Sequence, residues 1–315
     1  MRIATVLVAA VLVVVGGEAR GATAAEGKDL ERARGLWKVG KYAEGLEAFD
    51  VLARAEGQTP EVRHAIALGR ADCLDSTGEP DGAIAGLRAV AEPKDKDKEK
   101  DDPNVWARLA DLLFARGDWE GAEAASIRAM RVKADHLLAR WVQARLLEAK
   151  GRRAEADAAY QWFVDYQNLH ADDLAKDAPA LLLIGQATER YARANLRGEE
   201  LRDEMNNVIN NVYEVAIKAD PECWQAHWLE GRLFLANYQE GDARKDLARA
   251  QKINPHSPEV LVTLGQADLQ GYKLAMGRRK AERALEINPR MLAAHVLLAD
   301  LNITDERFLE ARDDA

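Results

Sequence analysis

Histidine, serine and carboxylate side chains are all present in this 315-residue chain, but none occurs in a spacing that catalysis or metal binding requires. No two of the six histidines lie four residues apart with a glutamate between them, the arrangement of a helix-borne zinc site. No serine lies in a Gly-x-Ser-x-Gly turn, which presents a hydrolase nucleophile. The sequence therefore predicts a chain that is not an enzyme and that holds no metal ion or cofactor.

The charge balance of the chain argues against a nucleic-acid partner. Acidic residues outnumber basic ones by 53 to 44, and no stripe of Lys and Arg alternates with aromatic residues. Binding to phosphate backbones requires such a basic surface. Ala, Leu, Glu, Arg and Lys dominate the composition, which favours helices throughout and an all-α fold.

A period of 34 residues organises the C-terminal half. Pro221, Pro255 and Pro289 each follow a helical run at an Asp-Pro or Asn-Pro corner. Small residues recur at fixed distances after each proline: Gly231, Gly265 and Ala299, then Ala243, Gly277 and Ala311. Small residues at fixed places on two successive helices allow those helices to pack closely. A repeat array of helical hairpins is therefore predicted.

This pattern resembles the tetratricopeptide repeat (TPR), a helix–turn–helix unit of this length. Upstream, Trp106, Leu109 and Ala110 are followed by the turn Gly117-Asp118-Trp119, similar to the family's Trp-x-x-Leu-Gly and Gly-x-Tyr elements. The resemblance covers nearly everything after residue 27. It implies a right-handed superhelical solenoid over residues 25–315, with about seven to eight units. Cys73 and Cys223 fall four units apart, so both are expected to be reduced and buried.

Two segments interrupt the period. Residues 92–103 contain alternating Lys and acidic residues with nothing apolar to bury, which predicts a solvated insertion between units. Gly185 and Tyr213 match the small and aromatic partners of one hairpin, yet they lie 28 residues apart where Gly231 and Leu247 lie 16 apart. An elongated helical hairpin is therefore expected over about residues 178–218.

The N-terminus has the pattern of a secretory signal peptide. Met1-Arg2 precedes an apolar run over residues 3–15, and Ala22-Thr23-Ala24 supplies small residues before a cleavage site. The run is too short to span a bilayer, which needs ~20 apolar residues. Residues 1–24 are thus expected to be removed, and the mature chain to be periplasmic or secreted without a membrane span; an uncleaved anchor is the alternative.

The chain ends within a predicted second helix at Ala315, without the capping helix that usually closes a TPR array. This predicts that the sequence is truncated. It also motivates an alternative function, the N-terminal arm of a longer exported enzyme, for example a peptidase, whose catalytic domain lies beyond residue 315.

The favoured function is that of a non-enzymatic scaffold, since the family's first helices line a concave groove in which peptides lie. Its partner would be a protein or peptide of the cell envelope. The groove-facing positions lie one helical turn either side of each small residue. They are Leu68, Asp72, Ala107, Asp111, Trp141, Arg145, Gln186, Trp228, Arg232, Val262, Gln266, Val296 and Asp300. The alternative is that the apolar members only complete packing between adjacent first helices.

Two of these positions pair tryptophan with arginine. Arg145 follows Trp141 by four residues and Arg232 follows Trp228 by four, so each guanidinium can lie over an indole on one helical face. Both residue types are enriched at binding hot spots. Binding to sugars through exposed aromatic residues is a further hypothesis, which requires several such residues in a row.

Overall fold

The computed structural model describes residues 24–92 and 101–305, and over these ranges it consists of helices and turns without a β-strand. The helices in chain order are α1 Ala24–Lys38, α2 Tyr42–Ala53, α3 Pro60–Ser76, α4 Pro80–Ala91, α5 Pro103–Ala115, α6 Trp119–Val132, α7 Leu137–Ala149, α8 Arg153–Leu169, α9 Ala171–Leu174, α10 Ala178–Asn195, α11 Gly198–Val208, α12 Glu214–Ala219, α13 Trp224–Ala236, α14 Glu240–Ile253, α15 Pro258–Gln270, α16 Leu274–Ile287 and α17 Leu292–Thr304. The all-α repeat solenoid predicted from the 34-residue period is confirmed.

Three of the predicted features lie wholly or largely outside the described residues. These are the signal peptide, the centre of the charged insertion and the start of the last second helix at Phe308. The described end of the insertion is not simply solvated. Asp102 accepts a hydrogen bond from the Asn104 backbone N–H (2.8 Å) at the start of α5, and Asp101 forms an ion pair with Arg128 (3.1 Å).

Local sequence explains where several first helices begin. Thr59 and Ser257 cap α3 and α15 by accepting hydrogen bonds from backbone N–H groups three residues on. A proline then occupies the first turn of each helix, where no intrahelical N–H donor is needed. The corners between units are therefore encoded locally, independently of packing.

Close packing within each hairpin follows the predicted pairs of small and large residues. A Cβ on Gly231 would lie 2.8 Å from Leu247 Cγ, and one on Gly185 would lie 2.4 Å from the Tyr213 ring. Both contacts are too close for any side chain, so glycine is required. The predicted pairing of Gly185 with Tyr213 is confirmed.

The hairpin that contains this pair is longer than its neighbours. α10 has 18 residues, whereas α7, α13 and α15 have 13 each. Its second arm runs through α11, a π-helical segment at Ile209–Tyr213, and α12. The π turn absorbs an extra residue and keeps Val212 and Tyr213 fully buried.

The array also closes on itself, which the sequence did not predict. Asn254 Nδ2 donates a hydrogen bond to the Tyr42 hydroxyl (3.0 Å) and Asn288 Nδ2 to the Asp75 carbonyl (3.3 Å), across 212 and 213 residues. The prediction of two unpaired cysteines assumed that each unit contacts only its neighbours, and these contacts show that this assumption is wrong. Curvature accumulated over the intervening units brings the first hairpins against the later corners.

We call this contact the seam, formed by the turns of the first two units and the corners at residues 254–256 and 288–290. At the seam each asparagine side chain enters a glycine turn: a Cβ on Gly40 would lie 2.3 Å from Asn254 Oδ1, and one on Gly78 would lie 2.5 Å from Asn288 Oδ1. An ion pair between Arg290 and Asp81 (2.9 Å) borders it. Glycine at these two turns thus makes closure sterically feasible.

Cys73 and Cys223 are both buried and free, as predicted. None of the described helices is long and apolar enough to cross a membrane.

Candidate partner-binding surfaces

The structure buries most of the row that sequence reasoning assigned to the groove. Trp141 and Trp228 are 1% and 3% exposed. Trp141 packs against Tyr160 with ring centroids 5.9 Å apart, and Trp228 Nε1 donates a hydrogen bond to Thr263 Oγ1 (2.8 Å). Their interpretation as accessible anchors is therefore wrong, and the alternative of packing between first helices explains them. The period identifies which positions share a face, but it does not show how far the next unit covers that face.

The remaining members of the row divide by exposure. Buried with the two tryptophans are Ala107, Asp111, Arg145, Gln186 and Val262. Half-buried or exposed are Leu68, Asp72, Arg232, Gln266, Val296 and Asp300. Only this second group retains surface that a partner could contact.

Three polar members of the row, Asp72, Asp111 and Arg145, belong to a buried ion network centred on Arg108. Arg108 donates to Asp72 (3.0 Å), Asp75 (2.8 Å) and Asp111 (2.8 Å), and Arg145 donates to Asp111 (3.0 Å). Burial raises the pKa of Asp72 to about 6, against the opposing effect of the Arg108 charge. Burial likewise raises the pKa of Asp111. These side chains join α3, α5 and α7, so their first role is to hold first helices together.

The predicted position of each arginine guanidinium over a tryptophan ring is confirmed. The Arg145 guanidinium lies 5.6 Å from the Trp141 ring centroid and that of Arg232 lies 5.8 Å from the Trp228 ring centroid. Arg232 also forms an ion pair with Glu189 (2.7 Å). Burial would raise the pKa of Glu189, but the charges of Arg232 and Arg193 outweigh it and lower that pKa. Each arginine therefore contributes to packing between units.

A cavity of ≈ 390 Å³ lies beside α1, α10 and α13, but part of its polar lining is already paired. Lys38 and Asp220 form an ion pair across it (3.0 Å), and Trp37 Nε1 donates to the buried Ser76 Oγ (3.1 Å). A ligand would have to displace these contacts. This cavity is accordingly a weaker candidate than the surface described next.

Two tyrosines at the turns between first and second helices have a backbone conformation that disfavours them. Tyr238 and Tyr272 have φ of 60° and 54°, in the left-handed region. Four other hairpins place glycine at this turn position, at Gly40, Gly78, Gly117 and Gly151. A residue with a Cβ costs roughly 1–2 kcal/mol in this conformation. Tyrosine here is therefore unfavourable for local structure.

The same two side chains are the most exposed aromatic residues among the described large hydrophobic ones, at 87% for Tyr238 and 81% for Tyr272. They line one groove of ≈ 400 Å³, which we call the tyrosine groove. Its other lining residues are Glu240, Leu269, Gln270 and Thr304. Sequence reasoning missed it, although two aromatic residues 34 apart at a glycine position were a visible signal.

Comparison with known proteins agrees with the repeat geometry. The model of the tetratricopeptide repeat family matches residues 30–98 and 210–258. No curated protein matches the chain.

Three solved structures illustrate the likeness. A thermophilic TPR protein of Thermus thermophilus has a TM-score of 0.50 at 18% identity, covering 67% of this chain and 99% of that one. The Cut9–Hcn1 hetero-tetramer of the APC/C has a TM-score of 0.59 at 13% identity. The match covers 89% of this chain and 51% of the matched chain in that complex. The human IFIT1 dimer with PPP-AAAA has a TM-score of 0.56 at 14% identity. The match covers 92% of this chain and 71% of the IFIT1 chain.

At these identities the likeness concerns the fold alone. This chain spans about half the length of the chain it matches in Cut9–Hcn1. The glycine-dependent hairpin packing and the solenoid neighbours show a repeat fold of the tetratricopeptide type, and the family model matches this chain over residues 30–98 and 210–258.

Proposed function

We propose that the chain is a non-enzymatic scaffold that binds an extended segment of a protein or peptide at the tyrosine groove. The observation that carries this proposal is the exposure of Tyr238 and Tyr272 on a left-handed backbone that four equivalent turns assign to glycine. Conformational strain that a local structure does not require is a pointer to function.

The chemistry of the groove suits a peptide. Tyrosine offers a broad apolar face together with a hydroxyl that can donate and accept, which is why it is enriched at interfaces. Leu269 adds apolar surface to the groove, while Gln270 and Thr304 offer side-chain groups that can bond to a peptide backbone. An extended segment could therefore bind through its side chains and its main chain together.

The predicted concave row is kept in this proposal only where its side chains retain surface and are not held in ion pairs, as Asp72 and Arg232 are. Leu68, Gln266, Val296 and Asp300 are proposed as additional contacts. The buried members of the row act in this scheme by fixing the relative positions of the first helices.

The test uses peptides selected from a displayed random library against the full chain, with affinities measured by fluorescence polarisation. In the double variant Tyr238→Gly, Tyr272→Gly, affinity should fall at least ~30-fold, equivalent to about 2 kcal/mol. Trp119→Ala is the matched control, because Trp119 is a 41%-exposed aromatic beside the glycine turn at Gly117, outside the groove.

Binding that survives the double glycine change, or that falls equally in the control, would remove the tyrosine groove from the proposal. A library of oligosaccharides tested in parallel addresses sugar binding. Selective binding of sugars, lost in the same variant, would reassign the groove to carbohydrate.

We also propose that the chain works after export, with cleavage near Ala24. The support is the short apolar run over residues 3–15 followed by Ala22-Thr23-Ala24. Mass spectrometry of the protein from a bacterial host should show Ala25 or Glu26 at the mature N-terminus. Soluble cytoplasmic protein that retains Met1 would contradict this.

A further inference from the structure

One unit contains, between its two helices, a cluster of side chains that could bind a metal ion. His227 and Glu230 lie on α13 and Asp246 lies on α14, and their nearest ligand atoms all fall within 4.8 Å of one another. His227 and Glu230 are only 2% and 4% exposed. The next unit has Leu261, Leu264 and Lys280 at these positions, so the repeat itself does not require polar groups here.

The histidine in this cluster has one nitrogen satisfied and one not. His227 Nε2 lies 3.3 Å from the Pro221 carbonyl oxygen, to which it can donate its hydrogen. Nδ1 is buried without a hydrogen-bond partner among the described residues and lies 3.7 Å from Asp246 Oδ1. When one ring nitrogen donates to a backbone carbonyl, the other is left with a lone pair, as in many metal-binding histidines.

We propose that His227 Nδ1, Glu230 and Asp246 bind a divalent transition-metal ion, with Zn²⁺ as the best fit, and that the ion joins α13 to α14. Imidazole nitrogen and carboxylate oxygen are both zinc ligands, and a zinc site with three protein ligands holds a water molecule in the fourth position. The imidazole argues against Ca²⁺ and Mg²⁺, which prefer oxygen ligands.

The surroundings are consistent with an ion at this place. Glu230 is buried and its carboxylate lies close to that of Asp246, an arrangement of two like charges that a cation between them would stabilise. The Asp246 side chain is 16% exposed, which leaves a path from solvent. Tetrahedral zinc needs ligand atoms roughly 3.3 Å apart, so the three side chains would close around it by up to roughly 1.5 Å.

Packing between repeat units would explain the Nε2 contact of His227, but not its Nδ1 beside two carboxylates. His295, two units along, makes the same contact through Nε2 with the Pro289 carbonyl at 3.0 Å. The contact to the proline carbonyl is therefore made in two units and does not depend on the neighbouring carboxylates. His295, however, has Leu298 where His227 has Glu230, so it provides a histidine in the same structural role without the carboxylate on its own helix.

The experiment titrates the full chain, stripped with chelator and free of any histidine tag, with Zn²⁺ by calorimetry and with Co²⁺ by visible absorption. We expect one equivalent of Zn²⁺ and the d–d absorption bands of tetrahedral Co²⁺. Asp246→Asn should weaken Zn²⁺ binding at least ~10-fold and remove the Co²⁺ bands. His295→Gln, the matched control, should leave both unchanged.

His227→Gln and Glu230→Gln should act like Asp246→Asn, with circular dichroism confirming that each variant is folded. If His227→Gln or Glu230→Gln unfolds the chain, Asp246→Asn still tests the metal site, because Asp246 is partly exposed and its substitution should leave the chain folded. Failure of the unmodified chain to bind Zn²⁺ would overturn the proposal, and so would equal binding by Asp246→Asn.

Discussion

At the scale of single residues, exposure separates the aromatic side chains by role. Trp228 is buried and bonded to Thr263, whereas Tyr238, ten residues later in the same unit, is 87% exposed. Both are large aromatic residues, and sequence position alone does not distinguish structural from contact roles. The structure places the tryptophan in the core and the tyrosine on the surface.

Substitution at these two positions should therefore give opposite results. Trp228→Ala removes a core side chain and should lower the free energy of unfolding by about 3–5 kcal/mol. Tyr238→Gly relieves the left-handed backbone, and the unfolded-state entropy of glycine offsets part of that gain, so stability should stay constant or rise by up to ~1 kcal/mol. Urea denaturation of both variants measures the difference. A loss of more than ~1 kcal/mol in Tyr238→Gly would show that the exposed ring contributes to folding.

The buried ion network makes a prediction about pH. Burial raises the pKa of Asp72 to about 6, above the value near 3.9 of an unfolded aspartate. A raised folded-state pKa means that the folded chain binds this proton more tightly. Asp72 therefore stabilises the fold most below about pH 4, and that contribution is lost as pH rises through 6.

Asp72→Asn should remove this dependence while keeping an oxygen for the Arg108 Nε–H. The unfolding free energy of the unmodified chain minus that of the variant should fall by up to ~3 kcal/mol between pH 4 and pH 7. Denaturation at four pH values across this range provides the measurement. Parallel curves for the two proteins would contradict the assigned protonation of Asp72.

At the scale of helices, glycines inside helices serve different purposes. Gly69 in α3 faces the Phe49 ring, which would lie 2.1 Å from an added Cβ, whereas Gly86 in α4 has nothing within 4 Å. Gly69→Ala should destabilise by about 1–3 kcal/mol through overpacking. Gly86→Ala should stabilise by up to ~1 kcal/mol through helix propensity and lower unfolded-state entropy. Thermal unfolding of the two variants checks both signs, and equal shifts would contradict the packing assigned to Phe49.

The helices themselves were largely predictable from sequence, and the reasons are local. Prolines in the first turns of α3 and α15 mark where those helices start, and Gly185 with Tyr213 identified the two arms of the elongated hairpin. The depth of the groove was not predictable in the same way. Whether Trp141 is covered depends on the side chains of the neighbouring hairpin, such as Tyr160, and on the distance between units.

At the scale of the whole molecule, the seam changes how the array should respond to damage. In an open solenoid each unit depends only on its neighbours. Here Asn254 and Asn288 connect the later corners to the first two turns. Small rotations between successive hairpins add up to this closure, and no single motif in the sequence encodes their sum.

A matched pair of glycine variants tests the seam. Gly40→Ala and Gly117→Ala both place a Cβ on a left-handed turn, but only the first meets Asn254, while nothing lies within 4 Å of the second. Both changes should cost about 1 kcal/mol for the backbone. Gly40→Ala should cost a further ~1–3 kcal/mol for the displaced seam. Small-angle X-ray scattering should show a larger radius of gyration for Gly40→Ala alone; equal radii would mean that the seam does not hold in solution.

The seam also limits how such a chain can evolve. The two asparagine contacts span 212 and 213 residues, so a constant length of chain separates each corner from its turn. Duplication or loss of one 34-residue unit between them would move each asparagine away from its glycine. Open repeat arrays can gain or lose whole units. In this protein the seam contacts would be lost by such a change, so selection for the seam would keep the number of units between them constant.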